Sequence, residues 1–191
     1  MPIGSTTVIA RVIYLDKISK KYYAFVTNFI IENRCKIIVE IGVDRGRLTR
    51  LVLRSEAARF IEQYWAIDIW ASSPDNMLNS DETWDKIYRG CCKYYPYFPA
   101  LKIFKMRSVE AAAYFSKDFK GYFDFVFIDA CHVYECVRDD IEAWYPLVKE
   151  GGWLTGHDYC LRELGVKRAV DEAFGDNIEV KHEVWIHGKK S

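Results

Sequence analysis

Asp129 and His132 close the run Phe125-Val-Phe-Ile-Asp-Ala-Cys-His132, in which four apolar residues of aromatic and β-branched type give way abruptly to a carboxylate and an imidazole. Such a run reads as a buried strand, and the pattern after it reads as a helix. In an open α/β sheet, ligands bind outside the carboxyl ends of the strands. An acid followed by an imidazole that titrates near neutrality is a candidate site for proton transfer there. A helix-capping Asp beside a bystander His would give the same letters. The segment Val39-Glu-Ile-Gly-Val-Asp-Arg-Gly46 also runs from a strand through a glycine-bounded turn into a helix. Gly42 lets the backbone turn tightly, and Gly46 lets a ligand or strand come close to the helix start. Gly42→Val is therefore expected to hurt ligand binding more than global stability. A dinucleotide fingerprint needs G-x-G-x-x-G, and Asp44 occupies its second glycine. A bulky acid there crowds and repels a pyrophosphate, whereas a ligand carrying an ammonium group tolerates it. An ordinary strand-to-helix turn also fits. Asp68 lies 28 residues after Glu40, near the end of the next strand. In a doubly wound sheet such an acid accepts hydrogen bonds from ribose hydroxyls; initiating a loop is its plainer role.

The elements that position these residues alternate along the chain. A leading amphipathic helix shows Ile18, Tyr22, Phe25, Val26, Phe29 and Ile30 at helical spacing. Strands are expected at Lys36 to Ile41, Tyr64 to Ile69, Leu101 to Lys105, Tyr122 to Ile128 and Trp153 to Gly156. Helices are expected after Gly46, around Glu82 to Arg89, through Ala111 to Phe115, and from Val166 to Phe174. Another helix puts Val133, Val137, Ile141, Trp144 and Val148 on one face, and Gly151-Gly152 is expected to end it. Ile178 to His187 supplies one or two terminal strands. The expected fold is α/β, a Rossmann-like doubly wound and mostly parallel sheet with an antiparallel edge strand and helices on both faces. One domain spans residues 1–191, with a leading helical segment (1–35) and an aromatic segment (72–99) that either caps a substrate pocket or packs its rings onto the sheet.

Composition sets the outer bounds. Half of the 191 residues are apolar, and Lys plus Arg balances Asp plus Glu at 27 each. The absence of a basic block disfavours nucleic acid and anionic membrane as partners. No apolar run approaches bilayer length. The Thr6 to Leu15 run is cut by Arg11 and has no small-residue cleavage signature, so a cytoplasmic chain is expected. Six cysteines without a C-x-x-C pair read as reduced, buried hydrophobes. A zinc site from Cys131, His132, Cys136, His157 and Cys160 is the sharper alternative, but these spacings match no zinc ribbon or finger.

Taken together, Glu40-Ile-Gly-x-x-x-Gly46, Asp68, Arg107-Ser108-Val-Glu-Ala-Ala, Phe127-Ile-Asp-Ala-Cys-His132 and Gly151-Gly-Trp-Leu-Thr-Gly-His-Asp158 resemble the class I S-adenosylmethionine-dependent methyltransferases. The likeness is to the small metal-assisted O-methyltransferases of the catechol and macrolide-sugar types and their cephalosporin-hydroxylase-like relatives. It implies S-adenosyl-L-methionine as cofactor, bound through Glu40, Gly42, Val43, Asp44, Gly46 and Thr49 at the methionine end. Asp68 would hold the ribose, with Ile69 beside it among the cofactor-binding residues, and Trp70, Arg107 and Ser108 would flank the adenine. Asp129 corresponds to a metal ligand that also borders the cofactor. His132 stands where these families keep a general base, and His157 with Asp158 where a ligand pair completes the site. Leu48 departs from the serine that many relatives use for the cofactor carboxylate, and Thr49 is its nearest substitute. Two carboxylates suit Mg²⁺, whereas a His157 ligand favours Mn²⁺, Fe²⁺ or Zn²⁺; His157 as an outer support or a structural residue stays open. The expected activity is O-methylation of a small hydroxylated acceptor, in a monomer or homo-oligomer. Rivals are a hydroxylase-like or N-methylating relative and an inactive cofactor-binding scaffold. A nicotinamide-dependent oxidoreductase is disfavoured by Asp44.

Overall fold

The computed structural model describes residues 21–74 and 79–190. Ile18 of the leading helix and the Thr6 to Leu15 run lie outside the described residues, as do residues 75–78 of the aromatic segment. A helix over residues 21–32 (α1) leads into β1 (Ile37–Ile41), α2 (Arg47–Arg54), β2 (Gln63–Asp68), α3 (Asp81–Cys92), β3 (Leu101–Lys105) and α4 (Ser108–Phe115). Then come β4 (Phe123–Ile128), α5 (Tyr134–Trp144), β5 (Val148–Gly156), α6 (Leu164–Phe174), β6 (Glu179–Lys181) and β7 (Val184–Gly188). The sheet order is β3-β2-β1-β4-β5-β7-β6. Strands β1 to β5 run parallel, and β7 is antiparallel to both β5 and β6. This is the doubly wound sheet with an antiparallel edge that the alternation of elements predicts.

Burial follows from two covered faces. All six residues of β4 are buried, as a central strand with helices on each side requires. Tyr22, Val26 and Ile30 of α1 share one core with Leu48 and Val52 of α2 and with Trp84 and Cys91 of α3. Ala112 and Phe115 of α4, Ile141 and Trp144 of α5, and Val170 of α6 form the core on the opposite face. The chain changes faces between β1 and β4, which lie side by side. That is the switch point where doubly wound sheets bind ligands.

Most strand and helix ends fall within one to three residues of the predicted ones; one prediction fails. Gly151-Gly152 does not end a helix. Helix α5 stops at Trp144, and Pro146 sits in the 3₁₀ turn Tyr145–Leu147, where it cannot continue an α-helix. Val148, expected on the helical face, already begins β5, and both glycines lie inside that strand. Gly151 has φ +72°, and a Cβ on Gly152 would come within 2.9 Å of the Asp124 carbonyl oxygen. The apolar i, i+4 spacing from Trp144 to Val148 carries the helical period past the proline, and that hides the break.

Candidate active site

A cleft of about 570 Å³ runs along the carboxyl ends of β1 to β4, lined among others by Gly42, Asp44, Asp68, Arg107, Asp129 and His132. Gly42 follows β1 with φ +86°, and a Cβ on it would stand 2.0 Å from the backbone oxygen of Asp129. Gly46, with φ +65° at the start of α2, would bring a Cβ only into ordinary contact at 3.4 Å or more. Within the chain the close approach is at Gly42, not Gly46, and what approaches is the chain beyond β4. Asp129 is held there by its own amide, which donates to the Ile41 carbonyl at 2.8 Å.

Asp68 ties the first two strand ends together. Its Oδ2 accepts from the Asp44 amide at 2.8 Å and its Oδ1 from the Trp70 amide at 2.7 Å. Burial raises its pKa, against the pull of these N–H groups. Ile69 and Ser108 line the same cleft. Trp70 does not: it is 1% exposed, donates its indole N–H to the Asp44 carbonyl at 2.9 Å, and packs on Tyr88. Glu40, Val43 and Thr49 also lie beneath the turn and away from the cleft wall. Thr49 donates to Glu40 Oε2 at 2.5 Å, and Tyr64 donates to the same oxygen at 2.6 Å. Burial pushes the Glu40 pKa up to about 8; these two donors offset part of the rise, and the charges of Asp129 and Asp68 add to it. The Thr49 hydroxyl, nearest in sequence to the missing serine, is committed to Glu40. Sequence reasoning missed Asp140, a buried acid on the cleft wall with a pKa pushed up to about 6 by burial. It bonds to Ser108, whose Oγ accepts the Trp144 indole N–H at 2.8 Å.

The acids and imidazoles at the ends of β4 and β5 meet. His132 Nε2 lies 3.1 Å from Asp158 Oδ2, and His157 Nδ1 is also 3.1 Å from that oxygen. His157 Nδ1 stands 3.7 Å from Asp129 Oδ1. Burial alone would depress the His157 pKa, but the hydrogen bonds and charges of Asp129 and Asp158 outweigh it and raise the value to about 10. Asp158 is driven well below the carboxylate range, because its two imidazole neighbours overcome the desolvation that burial imposes. The loop carrying His132 is seated by Gly165 of α6, where a Cβ would come within 2.3 Å of the His132 carbonyl oxygen. Tyr22 of α1 joins the cluster: its hydroxyl donates to Asp129 Oδ2 at 3.0 Å, and its ring stacks on His157 at 3.7 Å. No sequence signal marks Tyr22, because a tyrosine at helical spacing among apolar residues reads as core.

One ligand atom each from Asp129, His132 and Asp158 lies within 4.8 Å of the others, as does one each from His157, Asp158 and Glu183. Neither group contains a cysteine, so among the described residues the Cys-His zinc alternative has no cluster to support it. Two carboxylates and an imidazole that converge beside a cleft fit a small divalent cation. The aromatic segment is mostly packing. Tyr88 rests on Trp70 and Tyr94 under Arg50, whereas Tyr97 is 76% exposed; Trp84 alone among its large rings borders the cleft. Among the described residues no helix is long and apolar enough to cross a membrane.

Residues 39–159 match a family model described as a methyltransferase domain. A search of curated proteins by sequence finds no match. Among solved structures, the chain is similar to a Staphylococcus aureus protein provisionally labelled a caffeoyl-CoA O-methyltransferase, with 15% identity, 97% of this chain and 92% of that chain covered, and a TM-score of 0.64. An O-methyltransferase from Bacillus cereus in complex with SAH (S-adenosylhomocysteine) gives 14% identity, 98% and 93% coverage and a TM-score of 0.63. The O-methyltransferase NovP gives 18% identity, 91% and 80% coverage and a TM-score of 0.59. At these identities the likeness is one of fold. The family match spans well over half of the chain, from within β1 to beyond β5, and the chain belongs to the methyltransferase-domain family, on the class I S-adenosylmethionine-dependent fold.

Proposed function

We propose that this protein transfers the methyl group of S-adenosylmethionine to an oxygen of a small hydroxylated acceptor, assisted by a divalent cation. The observation that carries this is the convergence of Asp129, His132 and Asp158 beside a cleft that also runs past Gly42 and Asp68. The names of the neighbours, which are O-methyltransferases, support an oxygen acceptor.

Methyl transfer from a sulfonium is an in-line displacement at carbon, in which the C–S bond breaks as the C–O bond forms and S-adenosylhomocysteine leaves. A divalent cation, when bound, lowers the pKa of an acceptor hydroxyl that is otherwise a poor nucleophile. Asp129 and Asp158 would hold that cation. His132, its side chain 33% exposed, would take the hydroxyl proton at the ring nitrogen that does not donate to Asp158. Asp44 and Asp68 keep that end of the cleft electronegative, which suits a ligand with an ammonium and a sulfonium. Asp68 retains lone pairs for ribose hydroxyls after its two backbone bonds.

The test is release of S-adenosylhomocysteine across a library of small phenols, catechols and sugar alcohols, with and without EDTA. Turnover that EDTA abolishes and added Mg²⁺ or Mn²⁺ restores supports the proposal. Full activity in EDTA removes the cation and favours N-methylation. Binding of S-adenosylhomocysteine without turnover on any acceptor favours a scaffold.

A further inference from the structure

We propose that Tyr22, reaching in from α1, is a positioning residue that orients Asp129 and His157 together and so tunes cation affinity; this rests on the cation-assisted reading above. Tyr22 is 6% exposed and does not line the cleft, so it stands behind Asp129 and not beside a substrate. Its hydroxyl takes Asp129 Oδ2 at 3.0 Å, while Asp129 Oδ1 faces His157 Nδ1 at 3.7 Å. The two oxygens of Asp129 are thus made inequivalent, and the hydrogen bond restrains rotation of the carboxylate about its last bond. The same ring lies on the His157 imidazole at 3.7 Å with 20° between the planes, which sets the tilt of His157. His157 in turn points Nδ1 at Asp158 Oδ2, 3.1 Å away. One side chain therefore bears on both aspartates, one by a hydrogen bond and the other through the stacked imidazole. A carboxylate free to rotate must be ordered when a cation binds, whereas one already held does not. Outer partners of metal ligands act in this way, and losing one typically weakens binding 10–100-fold.

The arrangement also gives α1 a task beyond covering the sheet. Val26 and Ile30, the next inward positions of this helix, are buried at 1% and 0% exposure and anchor it. Thr27, also buried, spends its hydroxyl on the Tyr23 carbonyl of its own helix, whereas the polar tip of Tyr22 meets the site.

The experiment is Mn²⁺ binding to the full chain, followed by electron paramagnetic resonance, together with calorimetric S-adenosylhomocysteine binding in the absence of cation. Tyr22→Phe keeps the ring and removes the hydroxyl, with its bonds to Asp129 and Tyr23. It should weaken Mn²⁺ about 10-fold and leave S-adenosylhomocysteine affinity within about 2-fold. Tyr22→His, which returns a ring N–H, should recover part of the loss. Mn²⁺ affinity unchanged in Tyr22→Phe overturns the proposal. Equal weakening in Tyr22→Phe and Tyr22→His, with a matching fall in thermal midpoint, also overturns it, because the loss is then packing. If the wild type binds no Mn²⁺, or Asp129→Asn binds it as tightly, the cation-assisted reading itself fails and takes the role of Tyr22 with it. Asp129→Asn thus separates the two failures.

Discussion

Gly42 and Asp129 meet backbone to backbone: a Cβ on the first would lie 2.0 Å from the carbonyl oxygen of the second. The contact joins the ends of β1 and β4 at the switch point of the sheet, so the turn beside the cleft and the acid of the carboxylate–imidazole cluster share one support.

Gly42→Ala is therefore expected to act through the fold as well as through the ligand. The backbone of residues 129 and 130 must move, and the new side chain sits at φ +86°. Overpacking and a left-handed backbone together cost about 2–4 kcal/mol. Denaturant unfolding should show that loss, and S-adenosylhomocysteine affinity should fall with it. The expectation that a side chain here harms binding more than stability does not survive the contact with Asp129. Unfolding identical to wild type would show that the two strand ends separate freely.

Much of this was legible in the chain, for physical reasons that can be named. The apolar run Phe125 to Ile128, and the acid that follows it, announce a central strand, because a strand covered on both faces is mostly apolar. Asp129, His132 and Asp158 stand out in the chain because each follows an apolar strand, and the structure brings their side chains together. The resemblance gives Trp70, Thr49 and Glu40 to the ligand, whereas their side chains turn under the loops. Sequence spacing locates a backbone position and not the direction of its side chain. Tyr22 was invisible, since its partner Asp129 lies 107 residues away and helical periodicity explains it without a site. The break at Pro146 was masked by an apolar period that runs on by chance into β5.

Asp68→Asn should weaken S-adenosylhomocysteine by about 1–2 kcal/mol, read by calorimetry. The amide keeps one oxygen acceptor for the amides of Asp44 and Trp70 but turns the other into a donor, so one loop bond and the acceptor for the ribose are lost together. Wild-type affinity in this variant would remove Asp68 from the binding site.

Glu40 makes a prediction about pH. Its folded pKa of about 8 is raised above that of an unfolded glutamate, so between about pH 4.5 and 8 the unfolded chain gives up a proton that the native chain keeps. The stability it contributes is fully present below about pH 4.5 and is lost as pH rises through about 8, with a slope of at most about 1.4 kcal/mol per pH unit. Glu40→Gln presents one oxygen to Thr49 and Tyr64 without titrating, and should flatten that part of the stability profile. An unaltered slope from pH 5 to 8 would assign the dependence to other groups.

Cation ligands and the base should fail in different ways. Asp158→Ala removes a proposed ligand together with the carboxylate that His132 and His157 share, so activity should require far more added cation or vanish. Chelation of the wild type should act likewise and reverse on adding metal. His132→Ala leaves both aspartates and Tyr22 in place, so Mn²⁺ binding should change little while turnover falls by about 10²–10⁴-fold, the usual loss of a positioned base. That deficit should shrink as pH rises, because hydroxide or a more ionised acceptor replaces the missing imidazole. Its proximity to Asp129 and Asp158 also allows His132 to serve as a third ligand, and the same variant decides between the roles. Mn²⁺ affinity lost along with turnover, with no recovery at high pH, would make His132 a ligand. Normal turnover would leave it a bystander at the rim of the cleft.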